Sequence, residues 1–245
     1  MAALRAVEPP DSDHVPIASS PVIPGSGLNQ TRDQLCADGW TLVGVGNWSW
    51  AYASPDGLTV ARVRPWDPAY RLHAVACLSG PPNRYLPRVE SITALEGEGY
   101  AVMMERLWPA DEVEAAALCG RIGLGNDSGY QIPILPDDPS DQNLAALRLR
   151  LKALMAQGAE SFTLWGGSDI RPGNIMVDGK GQLKVVDPVF LRGPAIVDAL
   201  KDGRADLLAD FTHEQLRAFL TIPVFLRGPE TDELRRRIDL LCPQR

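Results

Sequence analysis

Asp169, Asn174 and Asp187 are the residues of this chain whose types and spacing fit chemistry. The first two fall in Asp169-Ile170-Arg171-Pro172-Gly173-Asn174, and the third closes Leu183-Lys184-Val185-Val186-Asp187. Between them Ile175-Met176-Val177 reads as a strand, Asp178-Gly179-Lys180-Gly181 as a turn and Leu183 to Val186 as the returning strand. Such a hairpin flanks itself with two carboxylates and a carboxamide. Oxygen ligands arranged this way suit a hard cation such as Mg²⁺, which takes few protein oxygens and shares the rest with phosphates and water. One carboxylate is left to take a proton from a hydroxyl nucleophile. Singly, Asp169 or Asn174 would read as a loop residue bonding its own backbone. The D-x-x-x-x-N spacing, the hairpin and the terminal Asp187 point to a site only in combination.

The elements that must position these residues follow from local pattern. Residues 1 to 30 are rich in Pro, Ser and Asp without an apolar period, and read as a disordered or loosely packed tail. Trp40 to Val43 starts a strand that leads into Gly44-Val45-Gly46-Asn47-Trp48-Ser49-Trp50-Ala51-Tyr52. Ser54-Pro55-Asp56-Gly57 then turns the chain into Leu58 to Val63. Glycines at 44 and 46 let backbone N–H groups approach phosphate oxygens, although hairpin turns use glycine anyway. Trp48 and Trp50 either cover a bound nucleotide or pack against the sheet.

Asp67-Pro68 is a helix start, and Leu72, Val75, Ala76 and Ser79 share one face of that helix. His73 on it reads as a surface or groove residue. Strands are expected over 89–95 and 100–104, and Glu112 to Leu118 is a short alanine-rich segment. From Asp141 to Gln157, Leu144, Leu147, Leu151 and Leu154 recur at helical spacing. Further helices are expected over 214–220 and 231–241. Arg204 and Arg235 to Arg237 read as solvated faces. The heptapeptide Pro188-Val189-Phe190-Leu191-Arg192-Gly193-Pro194 recurs at 223–229, and two copies do not make a repeat architecture.

Composition bounds the function class. The chain has 245 residues, 45% of them hydrophobic, which supports one large core or two small lobes. A net charge of −7 argues against nucleic-acid or anionic-membrane partners. The four cysteines are widely spaced and read as buried thiols of a reducing cytosol. No apolar run approaches the roughly 20 residues of a membrane span. With no basic-then-apolar leader, a cytoplasmic location is expected.

Over residues 40 to 190 the order of these segments resembles the protein-kinase-like family. Gly44 to Tyr52 looks like the glycine-rich loop over ATP phosphates, and Val60-Ala61-Arg62-Val63 like the third strand. Met103 to Leu107 looks like the last strand and hinge, Gly167 to Asn174 like the catalytic loop, and Asp187-Pro188-Val189 like the metal-binding motif. The resemblance implies a two-lobed α+β fold: a sheet-rich N-lobe over 31–107 and a compact helical C-lobe over 108–245. It also implies ATP and Mg²⁺ as cofactors. Asp169 would orient or deprotonate the acceptor hydroxyl, and Asn174 and Asp187 would hold Mg²⁺. Arg171 would place positive charge beside the transferring phosphoryl group. Gly44, Gly46, Ser49 and Arg62 would face the phosphates, and the backbone at Glu105 and Leu107 would meet adenine.

The chain departs from the family pattern in its upper half. Its four lysines, Lys152, Lys180, Lys184 and Lys201, all follow the hinge, so the strand lysine is absent and Arg62 is the cation in register. The helix after Asp67 lacks the usual glutamate; Asp67, Glu90 or Glu98 would substitute only through an altered geometry. Gly167 stands where the family has histidine, Pro188 replaces the Phe after the metal-binding Asp, and no Ala-Pro-Glu segment follows. Compact bacterial or phage kinase-like proteins look similar. Expected functions are thus transfer to a protein Ser/Thr hydroxyl, a pseudokinase that binds a nucleotide or protein partner, or a small-molecule kinase resembling aminoglycoside phosphotransferases. In the last case Asp137, Asp138 and Asp141 are candidates for an acidic acceptor pocket.

Overall fold

The computed structural model describes residues 21–131, 134–136, 139–226 and 230–242. Its N-terminal part opens with helix α1 (Leu28–Ala37), then strands β1 (Thr41–Val45), β2 (Trp50–Ala53) and β3 (Thr59–Arg64). Helix α2 (Pro68–Ser79) precedes β4 (Val89–Ala94) and β5 (Tyr100–Glu105). The five strands form one antiparallel sheet in the order β1-β2-β3-β5-β4. After β6 (Trp108–Pro109) the chain is mainly helical: α3 (Glu112–Ile122) and α4 (Gln142–Ser161), then β7 (Trp165–Ser168), β8 (Ile175–Val177), β9 (Leu183–Val185) and β10 (Val189–Leu191), and finally α5 (Gly193–Asp202), α6 (His213–Phe219) and α7 (Thr231–Leu241). This is the two-lobed α+β arrangement that the resemblance implied.

Strand alternation gives the sheet two different faces. Trp50, Tyr52, Ala61, Val63, Ala101 and Met103 point to one side, where they are buried with Val22 and Leu35 of the α1 region. The looseness expected through residue 30 therefore does not extend over 21–30: Val22 is 3% exposed and α1 begins at Leu28. Residues 1–20 lie outside the described residues. Ala53, Val60, Val102 and Met104 point to the other side, against Tyr70 and Ala74 of α2 and Val186 of the C-terminal part.

Asp67 caps α2 by accepting the Tyr70 N–H at 3.0 Å, with Pro68 in the first turn, as its sequence requires. The buried face differs from the expected one. It is Ala69, Tyr70, His73 and Ala74, whereas Val75 is 45% exposed. Tyr70 and Ala74 join the apolar cluster under the sheet, with the Arg62 and Arg64 guanidinium groups over the Tyr70 ring. His73, expected near the surface, is buried at 2% exposure.

The turn between β1 and β2 is docked onto the helical lobe. Trp48 lies 5.4 Å from Phe219 and 6.2 Å from Trp66 between ring centroids. It passes so close to Gly193 that a Cβ there would sit 3.0 Å from the indole. Val224 N–H donates to the Asn47 carbonyl at 3.2 Å. Trp48 thus packs on the C-lobe and not against the sheet. Removing a large aromatic from a packed site costs about 3–5 kcal/mol. Trp48→Ala, half-buried, is expected at the lower end, about 3 kcal/mol by urea denaturation; an unchanged midpoint would show that the turn is free of the lobe.

The two copies of the heptapeptide adopt different structures. The first forms β10, paired antiparallel with β7, and enters α5. The described part of the second, 223–226, is a turn in which Phe225 packs edge-on against Phe219 at 4.9 Å. Arg204 and Arg235 to Arg237 make exposed ion pairs, consistent with solvated faces.

Candidate functional site

The β8–β9 hairpin forms as expected, with Ile175 opposite Val185 and Val177 opposite Leu183. Asp178 closes its turn by accepting the N–H groups of Lys180 and Gln182, both at 2.9 Å, a structural role. Asn174 ends a 3₁₀ turn, Pro172–Asn174, and is 7% exposed. Its Nδ2 donates at 2.8 Å to the Asp169 carbonyl, to Asp169 Oδ2 and to the Asp187 carbonyl. One amide group therefore pins both acidic residues, and its Oδ1 faces away from these contacts as an open acceptor. Arg171 Nε donates to Asp169 Oδ1 at 3.1 Å.

Gly167 has φ +91, a conformation that side chains rarely adopt, and a Cβ there would overlap the Asp127 carboxylate. The glycine in place of histidine is thus required locally. It admits the segment Gly125 to Ser128, which follows α3 and lies along the Asp169 loop. Asp127 Oδ2 accepts the Ser168 N–H at 2.8 Å, and Asn126 Nδ2 donates to the Ile170 carbonyl at 2.6 Å. Ser128 Oγ lies 2.6 Å from Asp169 Oδ1. This segment carries no periodic signal.

The upper half of the site holds a second cation that the sequence reading missed. Arg62 and Arg64 are two residues apart on β3, so both side chains point to the same face. Arg62 Nη2 lies 3.3 Å and Arg64 Nη2 3.1 Å from Asp187 Oδ2. Arg62 is therefore not the lone cation in register. Arg64, 1% exposed, also pairs with Asp67, and its guanidinium lies 3.7 Å over the Tyr70 ring. Asp67, the cap of α2, is thus the carboxylate paired with Arg64. The signal was present: Arg-x-Arg at the end of a strand, then a capping Asp.

Electrostatics follow from this packing. Burial alone would raise the Asp187 carboxyl, but Arg64 and Arg62 outweigh it and hold it below its ordinary value. Burial dominates at Asp67, whose carboxyl is raised despite Arg64. Burial also pushes the His73 imidazole down to about 4, with Asp187 only partly opposing it. His73 is thus neutral in the fold, while the unfolded chain takes up its proton near the ordinary value of about 6.5. Its contribution to stability is lost as pH falls from about 6.5 to 4, because there the unfolded state binds the extra proton. Between pH 7.5 and 4.5, about 2–3 kcal/mol of the stability loss is expected to trace to His73. Urea titrations of the wild type and His73→Leu at both pH values check this; parallel losses would assign the effect elsewhere.

Ser49, 5% exposed, turns its hydroxyl toward Arg62, 3.4 Å from Nη2. Gly44 pairs with Ala51 in the sheet, and the Gly46 N–H is taken by the Ser49 carbonyl at 2.9 Å. At the expected hinge the Glu105 N–H is also taken, by the Arg88 carbonyl at 3.0 Å. The Glu105 carboxylate accepts the Arg88 N–H at 2.8 Å and lies 3.5 Å from Lys184 Nζ. Leu107 makes no backbone hydrogen bond among the described residues. Its side chain is buried with Val60, Met104 and Val186, and Met176 packs against them. A cavity of about 960 Å³ lies behind this hinge, lined by Arg84, Arg88, Glu105, Arg106 and Lys184, and none of Asp169, Asn174, Asp187 or Arg62 reaches it.

The oxygens that the contacts above leave without a hydrogen bond among the described residues are Asn174 Oδ1 and Asp187 Oδ1, the arginines taking Asp187 Oδ2, and these are the atoms that could hold a hard cation. Among the described residues no group of three or more His, Cys, Asp or Glu side chains converges. Asp141 does not line an acceptor pocket: it caps α4 and accepts from Arg84 at 2.7 Å and Tyr85 at 2.6 Å. Asp137 and Asp138 lie outside the described residues. No described helix is long and apolar enough to cross a membrane.

Residues 113–200 match the family model of Seadornavirus VP7. No curated protein matches the chain. Among solved structures, an aminoglycoside phosphotransferase from Streptomyces rimosus is 15% identical, with 87% of this chain and 96% of that one covered at a TM-score of 0.32. A thermostable variant of the aminoglycoside phosphotransferase APH(4)-Ia, in a ternary complex with AMP-PNP and hygromycin B, is 13% identical, with coverages of 82% and 92% and a TM-score of 0.31. WbdD, bound to a kinase inhibitor, is 14% identical over 84% of this chain and 45% of its own, at a TM-score of 0.30. At such distances these structures assign no ligand and no residue role to this chain.

Proposed function

We propose that the chain transfers the γ-phosphoryl group of ATP to a hydroxyl acceptor, a Ser or Thr side chain of a protein, with Mg²⁺ held at Asn174 and Asp187. The observation that carries this is the Asn174 amide, which bonds Asp169 and the Asp187 backbone at once and so holds the two carboxylate residues in one place. Asp169 would take the acceptor proton as the oxygen attacks. Arg171, already against Asp169, would stabilise charge on the transferring group. Arg62 and Arg64 would hold Asp187 in place and put two fixed positive charges beside the phosphates. Bound Mg²⁺ would supply neutralisation of phosphate charge.

One observation favours a second proposal, a pseudokinase module that binds a nucleotide or protein without transfer. Asp187 already has two guanidinium groups as counter-ions, a role that needs no metal. Thermal denaturation with and without ATP and Mg²⁺ separates the two. At about 100 times its Kd, a ligand adds about 2.7 kcal/mol, or about 5–10 °C for a chain of this size. The transferase is expected to show that shift and to label an acceptor with γ-phosphate, with both lost in Asp187→Ala. A shift without any transfer to the chain, to generic acceptors or to lysate would leave the binding module.

A further inference from the structure

Ser128 sits where an acceptor hydroxyl would sit. Its Oγ lies 2.6 Å from Asp169 Oδ1, and the residue is exposed to solvent. Asn126 Oδ1 is also 2.6 Å from the same Oγ. The orientation of Asn126 is fixed, because its Nδ2 donates to the Ile170 carbonyl and its Oδ1 accepts the Ser128 N–H at 2.8 Å. A hydroxyl carries a single proton, so Ser128 can give it to only one of these two oxygens at a time. Asp169 is the one of the pair that can accept it fully. The other face of Asp169 is held by Asn174, whose amide reaches the Asp187 carbonyl, so the serine, the base and the cation site are contiguous.

The segment is also built to leave. Gly125 and Gly129 bracket it with φ +62 and +90. Beside it opens a surface pocket of about 260 Å³, lined in part by Gly125, Asn126, Tyr130 and Ile170.

We propose that Ser128 is an intramolecular phosphate acceptor: the chain phosphorylates its own Gly125–Gly129 segment, which then withdraws and opens the acceptor side. The proposal rests on the phosphotransferase function above. The Ser128 Oγ–P bond forms, the bond from the γ-phosphorus to the β–γ bridging oxygen of ATP breaks, the serine proton passes to Asp169, and ADP leaves. A phosphoserine beside the Asp169 carboxylate places like charges together, which drives the segment off.

The test is mass spectrometry of the full chain after incubation with ATP and Mg²⁺, with ATP binding followed in parallel by thermal shift. One phosphate on Ser128 is expected, at a rate independent of protein concentration. Ser128→Thr should keep the modification at position 128, and Asp169→Asn should lose it at least 100-fold. Hydrogen exchange without nucleotide gives a second readout. Ser128→Ala and Ser128→Glu are both expected to exchange faster than the wild type at the Asp127 amide, which donates to the Ser168 carbonyl at 2.9 Å. If ATP stabilises the chain and phosphate appears on another residue or an added acceptor while Ser128 stays bare, Ser128 is not the acceptor. Unchanged exchange in both variants would equally show that the serine is not seated at Asp169. If ATP does not stabilise the chain at all, it is the phosphotransferase function that fails, and Ser128 loses its role with it.

Discussion

Arg64→Met is expected to lower stability by about 3–5 kcal/mol, the cost of removing one partner from a buried ion pair. Arg64 is 1% exposed and its guanidinium lies between Asp67 and Asp187. Methionine keeps much of the stem volume and can still lie against Tyr70, so the loss isolates the charge. Asp67 is then left buried with its capping bond to Tyr70 but without a counter-ion. A thermal midpoint about 10 °C lower is expected, at the usual conversion for domains of this size. Asp67→Asn in the Arg64→Met background should recover at least half of the loss, because asparagine still caps the helix and carries no charge. If the double variant is no more stable than Arg64→Met alone, the Arg64–Asp67 pair is not the source of the cost. The effect would then lie with Asp187.

The second large effect falls on chemistry more than on stability. Asp169→Asn is expected to reduce γ-phosphate transfer by about 10²–10⁴-fold, the range for loss of a general base. The substitution preserves shape, but the new NH₂ must face either the Asn174 amide or the Arg171 guanidinium, both donors, so one of those contacts is lost. A stability loss of about 1–3 kcal/mol is expected, with the ATP-induced shift retained. Transfer retained within tenfold would remove Asp169 from the role of proton acceptor and leave Arg171 and the arginines of β3 to account for any rate. Single-turnover measurement with labelled ATP is the appropriate readout, since it separates transfer from product release.

The parts of the fold that were legible in the sequence are those whose pattern is local. Asp-Gly between Ser54 and Leu58, and Asp178 to Gly181 between two apolar triplets, fix two hairpins on turn chemistry alone. Leu144, Leu147, Leu151 and Leu154 fix α4 by period, and all four are buried. Helix α1 was hidden because Leu35 is its one buried aliphatic residue, and the sheet face it covers is set by strands that come later. The buried face of α2 was misread for a related reason. Tyr70 and Ala74 meet the underside of the sheet, and Arg62 and Arg64 lie over the Tyr70 ring, partners from other elements that a hydrophobic period does not register. At the site, Asp169, Asn174 and Asp187 were recoverable from spacing, and the structure brings them together. Ser128 and Asp127 were not, since their contact with the Asp169 loop spans about forty residues and depends on the missing side chain at Gly167. Arg64 lay within reach: strand alternation puts it beside Arg62.

The docking of Trp48 has a mechanical consequence. The indole does not act alone: Arg62 and Arg64 reach Asp187, Val186 packs against the sheet, and Trp66 is buried with Phe211 and Phe219. Parting the sheet from the helices therefore means breaking ionic, apolar and aromatic contacts together. The two parts are expected to move as one body, with the β1–β2 turn as one of several fastenings and not as a separate flap.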